Sequence, residues 1–134
     1  GYNAQNERWS IAIETPYDGN MTMDSFEKIV RISDRAVATS GNYRRFYLND
    51  RGEKVVHTIN PKTGYSVASP LLSATVIAPT CAEADAAATM FMAMGNSENV
   101  ETLAEFCHRE YGWDYYFIFA GGEDYRIVCS KELK

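Results

Sequence analysis

The chain is short of several residue types whose pattern would declare a class at once. Its 134 residues include only two histidines and three cysteines. Cys81, Cys107 and Cys129 are odd in number and widely spaced, which fits neither a disulfide framework nor a C-x-x-C zinc site. Free thiols are the plain reading, and the count still allows one bridge. No stretch approaches the roughly 18 apolar residues that a membrane helix needs. No signal peptide opens the chain. The first residues, "GYNAQNERW", are polar and lack an initiator Met, so the chain reads as an excised or processed piece. Basic blocks are missing too. Thirteen Lys and Arg against eighteen Asp and Glu leave a net charge of −5, which argues against nonspecific nucleic-acid binding. An anionic ligand would need a metal or backbone donors here. Internal repeats, linkers and low-complexity segments are absent as well.

What is present is ordinary globular material, with 46% apolar and 23% charged residues. One domain with a real core is the expectation for this length. Strands are predicted at Trp9–Ile13, Phe26–Ser33 and Arg35–Thr39. "SGN" (residues 40–42) reads as a turn whose glycine takes φ > 0. "YRRFYL" and "EKVVHTI", joined by "NDRG", should pair as a hairpin. After an Asn60-Pro61 turn, "SATVIAP" reads as a buried strand. The period then changes. Thr80 and Glu83 form a capping box that opens a helix ending near Gly95. Its five alanines between Ala82 and Ala88 allow close approach of a neighbour or a ligand. A second helix follows "GNSEN", carrying Val100, Leu103, Ala104, Cys107 and Tyr111 at helical spacing, with Gly112 as its stop. "WDYYFIFA" and "YRIVCS" close the chain as a hairpin across "GGED". The order predicts an α+β fold with a mostly antiparallel sheet, two consecutive helices and a C-terminal β-hairpin.

Few residues invite a chemical reading. Asp85 and Thr89 lie one turn apart on one helix face and offer two hard oxygen donors, the kind magnesium takes together with waters and phosphates. The plainer reading is a solvated face. His57, before the rigid "INPKTG" turn, is the acid/base candidate by residue type, though a strand-end histidine is commonly structural. His108 sits in the last turn of its helix, where it complements the helix dipole. "TSGNYRR" could offer backbone N–H groups and guanidinium to phosphate, or could be a plain turn. "GGED" lacks the spacing of a nucleotide fingerprint. The aromatic residues of 111–119 alternate as core.

Three motifs in order go further. "AVATSGNYRRFY", "HTINPKTG" and "SATVIAPTCAEADAAATMFMAMG" together resemble the ApbE family, the FAD:protein FMN transferases once called thiamine biosynthesis lipoproteins. The resemblance runs from about Trp9 through the second helix. It implies that residues 1–134 are a single-domain, C-terminal portion of a longer ApbE-like enzyme whose first half supplies much of the flavin pocket. It implies a magnesium-dependent reaction that moves FMN from FAD to a Thr or Ser hydroxyl of an acceptor flavoprotein and releases AMP. Carried over residue by residue, Asp85 and Thr89 match magnesium ligands, His57 the histidine tied to catalysis, and Ile59 a flavin-contacting position. Ala88 stands where some relatives carry another acid near the metal, so water or a backbone group should fill that place. Asn60 stands where many relatives have Asp. The resemblance also implies a periplasmic or cell-envelope location, with membrane attachment only through an N-terminal lipid anchor of the parent. A flavin-carrier lipoprotein without transfer activity is the alternative. An interaction module that lost the site is a third reading, which the retained His57, Asp85 and Thr89 argue against.

Overall fold

A computed structural model describes residues 1–17, 25–43, 46–67, 69–95, 97–122 and 124–134. Among these residues, eight strands and two α-helices follow in the order β1 (Trp9–Glu14), β2 (Phe26–Ile32), β3 (Ala36–Gly41), β4 (Phe46–Leu48), β5 (Lys54–Val56), β6 (Leu71–Ala78), α1 (Cys81–Met94), α2 (Ser97–Tyr111), β7 (Asp114–Gly121) and β8 (Asp124–Cys129). A short 3-10 turn, Lys131–Leu133, ends the chain. The central sheet has the order β3-β6-β7-β8, and two separate hairpins pair β1 with β2 and β4 with β5. Each of these pairings is antiparallel. The expected α+β architecture is therefore what the chain adopts.

The central strands read as continuous apolar runs because both faces of the sheet are covered. Ala74, Val76 and Ala78 of β6 face the helices, together with Phe117 and Phe119 of β7. Ile77, Tyr116 and Ile118 face the other way, onto Ile13 and Val30 of the β1–β2 hairpin. The layers are thus helices, sheet and hairpin. Phe91 of α1 meets Phe117 edge-on with ring centroids 5.0 Å apart. Burying a side chain of that size stabilises the fold by about 1.5–3 kcal/mol.

The capping box forms as predicted. The Glu83 N–H donates to the Thr80 Oγ1 at 3.2 Å, and the Thr80 N–H donates to a Glu83 carboxylate oxygen at 3.0 Å. The alanine-rich stretch divides in two. Ala84, Ala87 and Ala88 are buried against the sheet, so they let the helix approach a neighbour rather than a ligand. Ala82 and Ala86 are exposed. Several boundaries differ from the sequence reading, and three bear on the site. β3 runs on through Ser40 and Gly41, β5 stops before His57, and α2 starts at Ser97 inside "GNSEN". The two arginines of "TSGNYRR" lie outside the described residues.

Gly41 is required for space and not for a left-handed backbone. A Cβ there would stand 2.6 Å from Cε1 of Tyr43, and 3.2 Å from the Leu72 carbonyl oxygen. The Tyr43 ring is buried and its hydroxyl donates to Glu14 at 3.2 Å, so it cannot simply swing away. Gly41→Ala is expected to destabilise the protein by about 1–3 kcal/mol, the usual cost of overpacking. Urea denaturation should show a lower midpoint with an unchanged slope. An unchanged midpoint would mean that the ring has room to move.

All three cysteines are free thiols. Burial raises the pKa of both Cys107 and Cys129. Among the described residues, no helix is long and apolar enough to cross a membrane.

Candidate functional site

Strand alternation places the polar end of β3 under α1. Ala36 and Ala38 pack into the helix-side core. Ser40 continues that parity, and its hydroxyl shares a hydrogen bond of 3.2 Å with the hydroxyl of Thr89. Asp85 lies one turn before Thr89, exposed, and its carboxylate has no hydrogen-bond or ion-pair partner among the described residues. A carboxylate therefore stands one helical turn from a pair of hydroxyls that joins α1 to β3. All are hard oxygen donors of the kind that magnesium accepts.

Ala88 alters one expectation. It is 0% exposed, inside the core between α1 and the sheet. An acid at this position would enter apolar packing, at a cost of several kcal/mol for an unpaired charge. The group that stands beside Thr89 is instead Ser40, which the sequence reading assigned to a turn.

The segment after β5 is fixed from both sides of His57. The Ser66 hydroxyl accepts from the Val56 N–H at 3.0 Å and donates to the Val56 carbonyl at 2.9 Å. On the other side, the Val67 N–H donates to the Thr58 carbonyl at 3.0 Å, and Ile59 bridges Ser66. The turn itself closes through Gly64, whose N–H donates to the Asn60 carbonyl at 2.8 Å with φ of +73°, a conformation that favours glycine. His57 is exposed between these anchors. Ile59 is 50% exposed.

One residue hangs this segment from the central sheet. Asn42 is buried, accepts from the Thr58 hydroxyl at 3.2 Å, and donates through its amide to the Leu71 carbonyl at 3.4 Å. Its own N–H donates to the Leu72 carbonyl at 3.0 Å. Sequence reasoning passed over Asn42 as part of a turn. The signal available was its place next to a glycine at a strand end, which marks an anchor as readily as a turn. Asn42→Ala removes the partner of the half-buried Thr58 hydroxyl and of the buried Leu71 carbonyl, at about 1–3 kcal/mol. We expect lower stability together with faster amide exchange over residues 57–67. If exchange over that segment stayed at wild-type rates, Asn42 would not be its anchor.

His108 does more than face a helix end. Its Nδ1 lies 3.0 Å from the Trp113 carbonyl and 3.4 Å from Asp114, and its Nε2 lies 3.2 Å from Glu132. Asp114 in turn accepts from Arg35 at 2.6 Å, and Arg35 also donates to the Ile77 and Gly112 carbonyls. These groups join β3, α2, β7 and the final turn, at the end of the sheet opposite to Ser40. His108, Asp114 and Glu132 have the composition of a cation site. The Arg35 guanidinium already neutralises the central carboxylate, so an ion-pair network is the better description.

The layered fold, the hydroxyl pair under α1 and the pinned "HTINPKTG" segment define a class. The ApbE family model matches residues 1–117, and the chain belongs to the ApbE family. Over all 134 residues it is 36% identical to the FAD:protein FMN transferase of Salmonella typhimurium, covering 36% of that protein. It is 34% identical to the FAD:protein FMN transferase of Escherichia coli K12, again over the whole chain and 36% of that protein. Among solved structures, it resembles the ApbE protein of Thermotoga maritima with a TM-score of 0.77 at 26% identity, over 98% of this chain and 38% of that one. The flavin transferase ApbE of Vibrio cholerae gives a TM-score of 0.74 at 29% identity, over 99% and 39%. The chain thus spans a little over a third of the length of the curated relatives it matches.

Proposed function

We propose that this chain is the C-terminal portion of an FAD:protein FMN transferase, which links FMN through a phosphodiester to a Thr or Ser hydroxyl of an acceptor flavoprotein. The observation that carries the reading is the Thr89–Ser40 hydroxyl pair with Asp85 one helical turn away on α1, on a chain whose relatives are FAD:protein FMN transferases. The acceptor oxygen attacks the FMN phosphorus of FAD. The bond from that phosphorus to the AMP oxygen breaks, AMP leaves with the electron pair, and the hydroxyl proton passes to a base. His57 is the base we assign, because its neighbours Val56 and Thr58 are both anchored and its ring is open to solvent. Ile59, half exposed two residues on, is the apolar contact for the flavin.

The oxygen donors fit a hard divalent cation, and Asp85 and Thr89 would hold magnesium, with Ser40 fixing the Thr89 hydroxyl. When bound, the ion would neutralise pyrophosphate charge that an acidic chain otherwise repels. Attachment of the parent to a cell-envelope membrane by an N-terminal lipid belongs to the same proposal.

The test is to incubate the full-length protein with FAD, magnesium and a candidate acceptor. The expected result is an acceptor that carries FMN after denaturation, with one AMP released for each. Retained FAD without covalent FMN on any acceptor would favour a flavin carrier instead.

A further inference from the structure

Between the β1–β2 hairpin and the final 3-10 turn lies a cleft of about 300 Å³. That is the lower end of ordinary small-molecule sites, roughly 300–1,000 Å³. Its floor is apolar. Val30 and Ile77 are buried there, and Ile32 and Leu133 pack against them. The charged lining is Arg8, Arg31, Arg35, Asp114 and Glu132.

Three of these charges already have partners. Arg35 holds Asp114 at 2.6 Å, and Glu132 lies 3.2 Å from the Nε2 of His108. Arg8 and Arg31 are left over. Neither guanidinium has a hydrogen-bond or ion-pair partner among the described residues. The hairpin register brings the two together. Ser10 stands opposite Arg31, and Arg8 stands two residues before Ser10. Diagonal neighbours of this kind lie about 7–8 Å apart, within reach of long side chains. Glu7 does not line the cleft. It borders a second hollow of about 270 Å³ on which Arg8 and Arg31 also open.

We propose that the cleft binds a small phosphomonoester, with the phosphate on Arg8 and Arg31 and the organic part on the apolar floor. Each guanidinium is a fork of N–H donors that fills two oxygens. One carboxylate would be used up by a single fork, whereas a phosphate monoester has three terminal oxygens to share between two. The floor of Val30, Ile32, Ile77 and Leu133 suits an ester with an apolar body better than bare phosphate. The cleft shares Arg35, Asp114 and Glu132 with the network at the end of the sheet opposite to Ser40, so it is separate from the proposed transfer chemistry and does not depend on it.

Phenyl phosphate is the probe, titrated calorimetrically into the full-length protein saturated with FAD and free of magnesium. Arg8→Ala and Arg31→Ala are each expected to raise its Kd about tenfold or more, the usual worth of a charge-assisted hydrogen bond. Both positions are exposed, so the melting temperature without ligand should match wild type. Arg31→Lys keeps the charge and loses the fork, and its Kd should fall between wild type and Arg31→Ala. Arg51→Ala, which removes an exposed cation from the turn between β4 and β5, should leave Kd within about twofold at physiological salt. Inorganic phosphate should bind about fourfold or more weakly than phenyl phosphate, since burying even one methylene equivalent is worth that much. No heat of binding with wild type, or equal affinity in wild type and both alanine variants, would overturn the proposal. Benzoate bound as tightly as phenyl phosphate would make this a carboxylate site and overturn it too. So would binding seen only when FAD is left out, which would place the probe in the flavin site.

Discussion

His57→Asn is expected to slow FMN transfer by at least roughly a hundredfold while FAD still binds, because general acid/base help is worth about 10²–10⁴-fold. Asparagine has a similar size and keeps some hydrogen bonding, but it cannot accept a proton near neutral pH. The placement of His57 sharpens the expectation. The side chain is exposed, and hydrogen bonds of Val56, Thr58 and Ser66 fix the segment around it. A structural histidine would give the opposite pattern, with a lower melting temperature and near-normal turnover of the folded fraction. Melting temperature and single-turnover transfer on one preparation separate the two. A stable variant that transfers at the wild-type rate would remove His57 from the mechanism.

Much of this architecture was legible because local signals agreed with tertiary demands. Thr80 and Glu83 announced α1, Gly95 and Gly112 ended the helices, and the unbroken apolar run of β6 reported a strand covered on both faces. The misread places have a common cause. "SGN" looks like a turn because glycine commonly serves a left-handed backbone, yet Gly41 sits in a strand and is needed for the approach of the Tyr43 ring. "EKVVHTI" alternates like a strand throughout, yet pairing stops at Val56, where the Ser66 side chain takes over the hydrogen bonds of the backbone. Ser40 and Asn42 escaped notice because their roles depend on partners 49 and 29 positions away. No spacing rule within a strand or helix reaches that far. The pair Asp85 and Thr89 could be read from helical spacing alone, whereas their third neighbour required the sheet.

That third neighbour gives the metal assignment a graded test. Asp85→Ala in the full-length protein is expected to raise the magnesium concentration for half-maximal transfer by at least about a hundredfold. It removes a carboxylate ligand, whereas groups that only support ligands are commonly worth about 10–100-fold. Thr89→Ala should have a smaller effect, since a hydroxyl offers a dipole where Asp85 offers a full charge. Ser40→Ala should be milder still, about tenfold, because it removes only the hydrogen-bond partner of Thr89. None of the three should threaten the fold. Asp85 and Thr89 are exposed on α1 and alanine is the best helix former, while the Ser40 hydroxyl bonds at the exposed rim. Binding of manganese as a spectroscopic stand-in, followed by electron paramagnetic resonance in the absence of FAD, reads the same order without relying on turnover. The order follows from charge: a hard cation held in partly screened surroundings gains most from the one full negative charge among its donors. Superimposable magnesium titrations for wild type and Asp85→Ala would place the cation elsewhere and leave Asp85 as a solvated side chain on an exposed helix face.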